Sequence, residues 1–213
     1  MKRPGPSKGS SVVSDNAEGI ARAAARVRGG GIVAFPTETS YGLGVDPFNE
    51  TALRRLFAIK KRPPIKPILL IIDHPSRLPA IVSAVPDCYL DLMERFWPGP
   101  LTLIFPARPG LSRWLTGGTA TVGVRVSSAP VAAELCRRVD GPITATSANI
   151  SGRNPAYSVE EVMAQFPDGL DLILDGGSGA AGPPSTVVGQ QDGTLRLLRQ
   201  GCIAFTLLQQ RPE

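Results

Sequence analysis

The chain has 213 residues, of which 42% are hydrophobic, so it can bury a full core, and this length favours one domain. Its formal net charge is +5, but Lys2, Arg3 and Lys8 supply three of the basic charges, which leaves 20 basic residues against 18 acidic ones. This balance excludes a uniformly basic nucleic-acid-binding body, and any affinity for anions must come from local clusters.

The chain contains no run of 18 uncharged apolar residues, which argues against a membrane span. Residues 1–13 are basic at their start, and no apolar signal core follows, so we expect a disordered basic tail, no secretion and a cytoplasmic location. Cys88, Cys136 and Cys202 are odd in number and far apart, which predicts buried thiols in a reducing compartment rather than disulfides or a zinc site. Residues 204–213 are expected to form a C-terminal tail.

Helix signals recur along the chain. The segment 15–18 resembles a capping box, and apolar residues from Ile20 to Val27 then follow helical spacing until the glycines at 29–31. Two prolines, Pro63 and Pro64, end a second helical pattern. Further helices after the first are predicted over 50–60, 87–96, 130–139 and 158–166.

Apolar runs predict strands between these helices. Residues 68–72 are continuously apolar, as expected for a strand that is covered on both faces. Further strands are predicted over 32–35, 101–105, 121–126, 142–146, 172–175 and 195–198. The alternation of helices and strands predicts a single-domain α/β fold, a twisted mixed sheet flanked by helices.

Residues 36–44, PTETSYGLG, follow the strand at 32–35 and bring hydroxyls, one carboxylate and two glycines to one place. The glycines, Gly42 and Gly44, favour a tight turn that approaches a ligand closely, and the hydroxyls offer neutral donors and acceptors. This pattern is typical of a small-ligand site. The alternative is a strand-end turn whose hydroxyls only satisfy backbone groups.

Cationic residues point to anion binding at two places. Lys60, Lys61, Arg62 and Lys66 lie at the end of a predicted helix, where the prolines would hold them for phosphate contacts; the alternative is a solvated helix end. Arg125 interrupts an apolar strand, where a bound carboxylate would offset the cost of its burial. An internal acidic partner or an outward-facing side chain is the competing explanation for that arginine.

The chain lacks the motifs of P-loop nucleotide binding and of serine hydrolases. The chain has no P-loop, no Gly-x-Ser-x-Gly and a single histidine, His74, which we expect to lie in an exposed loop. The aromatic residues Trp97 and Trp114 are expected to be packing residues.

Several segments, in their order, resemble the YrdC/TsaC family. They are PTETSYGLG at 36–44, KKRP at 60–63, WPGPLTLIFP at 97–106, VGVRV at 122–126, TSANISG at 146–152, PSTVV at 184–188 and LLRQG at 197–201. The resemblance covers residues 14–203 and implies a YrdC-like catalytic domain with a deep positively charged cavity, in the short bacterial form. It also implies a threonylcarbamoyl-AMP synthase, which joins L-threonine, bicarbonate and ATP and releases pyrophosphate for the t6A modification of tRNA.

The resemblance assigns site residues one by one. It assigns Thr39, Arg125 and Ser185 to threonine, with Arg125 on the carboxylate. It assigns seven residues to ATP, with Asn149 beside the others: Lys60, Arg62, Lys66, Thr121, Ser147, Asn149 and Arg199. No covalent nucleophile is implied, Glu38 is a candidate for positioning, and Mg²⁺ is expected to be held mainly by ATP.

The chain departs from the family at two positions. Ile71 replaces a histidine of longer members, and Ala145 replaces a hydroxyl-bearing residue that many members carry. Partners implied are the proteins of the t6A transferase complex, with possible tRNA or double-stranded RNA contact. The alternatives are a non-catalytic double-stranded RNA- or tRNA-binding module, disfavoured by the nearly neutral body, and a carbamoyl-handling domain of the hydrogenase-maturation type.

Overall fold

The computed structural model describes residues 10–177 and 182–210. Within these ranges the chain forms eleven strands. They are β1 (Ser11–Ser14), β2 (Val33–Phe35), β3 (Gly42–Gly44), β4 (Leu70–Ile72), β5 (Leu101–Pro106), β6 (Thr121–Val126), β7 (Ile143–Thr144), β8 (Thr146–Ser147), β9 (Leu172–Asp175), β10 (Thr186–Gln191) and β11 (Thr194–Arg199).

The strands belong to two mixed sheets. One has the order β1-β9-β2-β3-β8, and the other has the order β11-β10-β5-β6-β4-β7. Each contains parallel and antiparallel pairs: β2 is parallel to β9 and antiparallel to β3, while β5 is parallel to β10 and antiparallel to β6. The predicted mixed α/β class is confirmed, but the strands divide into two sheets where one was expected. The chain crosses between them at Ala145, which lies between β7 and β8.

Seven α-helices accompany the sheets in the described part of the chain. They are α1 (Ala17–Arg28), α2 (Glu50–Lys60), α3 (Leu90–Phe96), α4 (Arg113–Thr116), α5 (Pro130–Val139), α6 (Val159–Gln165) and α7 (Phe205–Gln209). Short 3₁₀ helices occupy Pro75–Ala80 and Asp87–Tyr89. None of the helices that the structure describes has the length and apolar character needed to cross a bilayer.

Local signals explain where the helices begin and end. The Asn16 side chain accepts a hydrogen bond from the Gly19 amide and caps α1, and the Ser158 hydroxyl accepts one from the Glu161 amide and caps α6. Helix α5 begins at Pro130, as predicted, and α2 ends at Lys61, whose backbone is left-handed at φ 49°. The helices predicted over 50–60 and 130–139 are confirmed at those bounds.

Both predicted tails contain regular structure, and the disorder expected for residues 11–13 was wrong. Strand β1 pairs in parallel with β9, from Ser11 opposite Leu172 to Ser14 opposite Asp175. Its side chains are exposed or half-buried, and Val13 packs against the cluster beside α1, so pairing of the backbone with β9 supplies much of what holds the strand. Helix α7 lies in the expected C-terminal tail and buries Leu208. The remainder of the tail predictions, at 1–9 and 211–213, falls outside the described residues.

Two buried clusters hold the sheets and helices together. Helices α1 and α5 cover residues of β2, β9 and β4, including Val33, Leu172 and Ile71, and the larger cluster lies around α2, β5 and β6. The cysteines are free, but only Cys136 is fully buried, and its burial raises the pKa of the thiol. Cys88 is half-buried and Cys202 is exposed, so the prediction of buried thiols was wrong for Cys202.

Candidate functional site

A cavity of about 660 Å³ is lined by residues from both sheets and from the loops that join them. This volume lies within the usual range for small-ligand sites. Among the described lining residues four are cationic and none is acidic, which favours an anionic ligand. The four cations are Arg62, Lys66, Arg125 and Arg199.

The loop between β2 and β3 forms one wall of the cavity. The Thr37 hydroxyl accepts hydrogen bonds from the Thr39 and Ser40 amides and donates one to the Ser40 carbonyl oxygen at 2.6 Å. Thr37 therefore organises the loop, as the alternative explanation for this motif proposed. Thr39 lines the cavity, and its hydroxyl lies 3.2 Å from that of Thr37.

The glycines of the same motif do not form the expected turn. Gly42 and Gly44 lie in β3, which pairs with β2, and the turn is made by the residues between the strands. A side chain at Gly44 would place its Cβ 2.8 Å from the Phe35 ring, so glycine is required there by packing. The bend predicted at these glycines was therefore wrong, because the small residues serve a close strand-to-ring contact.

Arg125 on β6 has an internal acidic partner. Its Nε lies 3.4 Å from Oε1 of Glu38, and both side chains are almost completely buried. Burial lowers the pKa of Arg125, and the negative charge of Glu38 opposes that change. Ser127 donates a hydrogen bond to the other oxygen of Glu38. The competing explanation of an acidic partner is thus confirmed, and Arg125 nevertheless lines the cavity.

Ser185 and Arg199 are joined by hydrogen bonds at the cavity wall. Arg199 Nε and Nη2 donate to the Ser185 carbonyl oxygen at 3.1 and 3.0 Å, and Nη2 also donates to the Ser185 hydroxyl at 3.0 Å. That hydroxyl lies 2.9 Å from the hydroxyl of Thr102 on β5. Gly201 allows this packing, because a Cβ there would meet the Pro184 carbonyl oxygen at 2.1 Å. Both Ser185 and Arg199 line the cavity.

Lys60, which the resemblance assigns to ATP, lies outside the described cavity lining. It is 1% exposed, and its Nζ donates to the carbonyl oxygens of Ser147 and Asn149 at 2.5 and 2.7 Å. Burial, with a smaller contribution from the charge of Arg62, lowers the pKa of Lys60 to about 7. These contacts commit Lys60 to holding the turn after β8.

Two other residues assigned to ATP also lie outside the lining. Asn149 Nδ2 donates to the carbonyl oxygens of Ile150 and Arg153, and its Oδ1 accepts from the Ser147 hydroxyl at 2.5 Å. Thr121 lies at the start of β6, with its hydroxyl 2.8 Å from that of Thr119. Asn149 therefore shapes the turn that follows Ser147, and Ser147 itself lines the cavity.

Arg62 and Lys66 lie at the cavity wall, in the loop after α2. Arg62 Nη2 donates to the Pro67 carbonyl oxygen at 2.8 Å, and its Nε donates to the Lys66 carbonyl oxygen at 3.3 Å. The loop is thereby closed on itself, and partial burial lowers the pKa of Arg62. Lys66 is exposed, so its ammonium group can reach an anion in the cavity.

The two positions that depart from the family both line the cavity. Ile71 is fully buried on β4, directly opposite Arg125 in the parallel pairing with β6. Ala145 lies at the crossing between the sheets, where its amide donates to the Leu69 carbonyl oxygen at 2.8 Å. His74 is exposed and its Nδ1 accepts a hydrogen bond from the Ser76 amide, which confirms an exposed loop histidine.

Polar residues near this site that were not predicted from the sequence include Thr102 and Ser127. Thr102 is a lone hydroxyl in the apolar strand Leu101–Pro106, and Ser127 directly follows the strand that carries Arg125. Isolated polar residues in buried strands are the signal that could have revealed them. The assembled site offers a buried guanidinium, three more cations and several hydroxyls, which together suit a ligand with a carboxylate and phosphates.

Comparison with known proteins places this geometry in a family. The profile of the Sua5/YciO/YrdC family, described as "Telomere recombination", matches residues 25–201. The chain is 40% identical over 168 residues to a threonylcarbamoyl-AMP synthase of Halorhodospira halophila, covering 79% of this chain and 88% of the relative.

Solved structures give the same result. P. abyssi Sua5 complexed with L-threonine has a TM-score of 0.84 and 38% identity over 90% of this chain, and the chain spans 57% of that protein. E. coli YciO has a TM-score of 0.78 and 26% identity, covering 90% of this chain and 94% of YciO. The chain therefore belongs to the Sua5/YciO/YrdC family.

Proposed function

We infer that this protein is a threonylcarbamoyl-AMP synthase, an enzyme that transfers the adenylyl group of ATP to N-carbamoylated L-threonine. The observation that carries this conclusion is the cavity, whose four cations and hydroxyls suit a carboxylate and a chain of phosphates, in a chain 40% identical to a protein of that name. The product serves the t6A modification of tRNA.

We propose that the threonine carboxylate binds at Arg125. The support is a guanidinium that lines the cavity, is 7% exposed, and has its Nε 3.4 Å from a carboxylate oxygen of Glu38. A planar bidentate donor matches a carboxylate in geometry and charge. Thr39 and Ser185 line the same cavity, and their hydroxyls would contact the rest of the amino acid. The structural neighbour P. abyssi Sua5 is complexed with L-threonine, which supports threonine as the amino acid that is bound.

The ATP phosphates would bind at the other cations of the cavity. Arg62 and Lys66 lie on the loop after α2, Ser147 ends β8, and Arg199 ends β11. Lys60 and Asn149 would contribute indirectly, because they fix the backbone that carries Ser147. Thr121 stays a proposed nucleotide contact with no support from the cavity lining.

The proposed reaction needs no protein nucleophile. The neutral amine of threonine attacks bicarbonate or dissolved carbon dioxide and forms an N–C bond. With bicarbonate a water molecule leaves, and with carbon dioxide the amine gives up a proton to water. The resulting carbamate oxygen attacks the α-phosphorus of ATP, and the bond to the β-phosphate oxygen breaks to release pyrophosphate. The residues of the cavity would orient both substrates and stabilise the developing phosphate charge.

Mg²⁺ would enter the cavity as part of the substrate MgATP. The described lining residues contain no carboxylate, and carboxylates are the usual protein ligands of Mg²⁺. This donor set does not fit a resident magnesium site, and it suits a cation that is carried by the phosphates of ATP.

The alternative of a non-catalytic RNA-binding module gains no support from the comparisons, since the curated relatives are named as synthases. Transfer of the adenylate to the t6A transferase complex, and contact with tRNA or double-stranded RNA, are proposals. We expect the enzyme to act in the cytoplasm, where ATP and tRNA are present.

The test is incubation of the purified protein with ATP, L-threonine, bicarbonate and Mg²⁺, followed by mass spectrometric detection of threonylcarbamoyl-AMP and a separate assay for pyrophosphate. We expect both products in the complete mixture and neither when threonine or ATP is left out. Pyrophosphate release that does not depend on threonine would contradict the inference.

A further inference from the structure

Two side-chain atoms in the described part of the chain are buried and have no hydrogen-bond partner: Oε1 of Glu38 and Nε of Arg125. They face each other at 3.4 Å. This separation allows strong attraction between the charges but is longer than a normal hydrogen bond. The pair is therefore held by charge, and each atom retains unused hydrogen-bonding capacity.

The carboxylate of Glu38 is fixed from its other side. Ser127 Oγ donates to Oε2 of Glu38, and the same Oγ accepts from the Ala129 amide at 3.3 Å, at the beginning of α5. Ser127 is 2% exposed, so this chain of contacts is sheltered from water. The helix start, Ser127 and Glu38 thus form a continuous support behind Arg125.

The support acts on one side of the guanidinium only. Glu38 contacts Nε and is absent from the described cavity lining, while Arg125 is part of that lining. Glu38 therefore acts through Arg125, on the side of the guanidinium that carries Nε. Without Glu38, the buried guanidinium would lose the one carboxylate that compensates its charge among the described residues.

We propose that Glu38 is a positioning residue for the amino-acid carboxylate site: it orients the guanidinium of Arg125 through Nε, and Ser127 fixes Glu38 in place. This proposal rests on the proposed function, because it assigns the ligand of Arg125 as the carboxylate of an α-amino acid. The proposal also predicts that loss of Glu38 weakens threonine binding and spares ATP binding, because the ATP phosphates are assigned to other cations.

The experiment measures L-threonine and ATP binding separately, by isothermal titration calorimetry of the full chain. Glu38→Gln keeps the shape of the side chain and removes its charge. We expect it to raise the Kd for threonine about tenfold or more and to change the Kd for ATP by less than about twofold. Glu134→Gln, which removes an α5 carboxylate paired with Arg137 and Arg138, is the matched control and should change neither Kd.

A double-mutant cycle tests whether Glu38 acts through Arg125. In an Arg125→Lys background, Glu38→Gln should add less than about a twofold change in the threonine Kd, because the group that it orients is already lost. The same tenfold effect in both backgrounds would overturn the positioning role. An unchanged threonine Kd in Glu38→Gln, or equal losses for both ligands, would overturn it too.

A second pair of variants tests the proposal if Glu38→Gln fails to fold. These variants change Ser127 and keep the charges of both Glu38 and Arg125. Ser127→Ala should weaken threonine binding selectively, and Ser127→Thr, which keeps the hydroxyl, should restore it. Equal behaviour of these two variants would contradict the proposal. If the wild type forms the adenylate and binds threonine, and the Glu38 and Ser127 variants bind threonine as tightly as the wild type, only the positioning role of Glu38 is contradicted. If the wild type binds no threonine, both the proposed function and the role of Glu38 are contradicted.

Discussion

Lys60 Nζ lies 2.7 Å from the carbonyl oxygen of Asn149 and is almost completely buried. A basic residue at the end of a helix would ordinarily extend into solvent. Here it joins the end of α2 to the end of β8, where Ser147 lines the cavity, and to the turn that follows. The contact should therefore affect both the stability of the protein and the pH dependence of that stability.

The first prediction concerns stability. Lys60→Met keeps the length of the side chain but leaves the carbonyl oxygens of Ser147 and Asn149 without this donor, which should lower the free energy of unfolding by about 2–4 kcal/mol. Urea denaturation followed by circular dichroism measures it. Lys61→Met removes an exposed neighbouring charge and should cost far less. Equal stability of Lys60→Met and the wild type would show that the contact is dispensable.

The second prediction concerns pH. The pKa of Lys60 is lowered to about 7 in the folded protein, whereas an unfolded lysine titrates near 10.4. Between these values the unfolded chain binds more protons at this position, so its contribution to stability rises with pH. The neutral amine still has two donors for the two carbonyl oxygens.

The measurement for this second prediction is the difference in unfolding free energy between the wild type and Lys60→Met. It should increase from about pH 7 to about pH 9, and the subtraction cancels the titration of other groups. A difference that is constant or that decreases over this range would mean that Lys60 stays protonated when buried.

The third prediction tests the nucleotide end of the cavity. Lys66→Ala should raise the Kd for ATP about tenfold, because it removes one charge-assisted phosphate contact, and should leave threonine binding unchanged. Lys66 is a cleaner probe than Arg62, whose side chain also closes the loop. Lys61→Ala serves as the control, since Lys61 lies outside the described lining. Equal ATP affinity in the two variants would move the phosphate site elsewhere.

The fourth prediction tests the amino-acid end. Arg125→Lys retains the charge but loses the planar pair of donors, so the KM for threonine should rise at least tenfold, on the order expected for a lost bidentate contact, while the KM for ATP changes little. Thermal melting of the variant controls for folding. A parallel rise in both KM values would make Arg125 a general structural residue of the cavity.

Elements with strong local signals could be predicted from the sequence. Helices α1, α2, α5 and α6 have clear caps, proline starts or apolar spacing, and each lies close to its predicted position. Longer apolar strands such as β5 and β6 were also found. Caps, prolines and apolar spacing within each segment determine where these elements lie, so they can be predicted from a single sequence.

Elements that depend on distant partners could not be predicted. Strand β1 is stabilised by pairing with β9, far along the chain, and the pattern of β10 is weakened by Gly189 and the exposed glutamines that follow. The same limit applies to the site. Cationic sequence alone could not show that Lys60 is buried on backbone carbonyls, or that Glu38 is the partner of Arg125. These outcomes depend on three-dimensional packing that no local pattern encodes.

The most direct test of the proposed reaction uses isotopically labelled bicarbonate. The purified protein is incubated with labelled bicarbonate, L-threonine and MgATP, and the adenylate product is analysed by mass spectrometry with fragmentation. We predict that the label appears in the carbonyl group between the threonine nitrogen and the AMP phosphate. An adenylate that carries threonine without the labelled carbon, or the absence of any threonine-dependent adenylate, would contradict the proposed function.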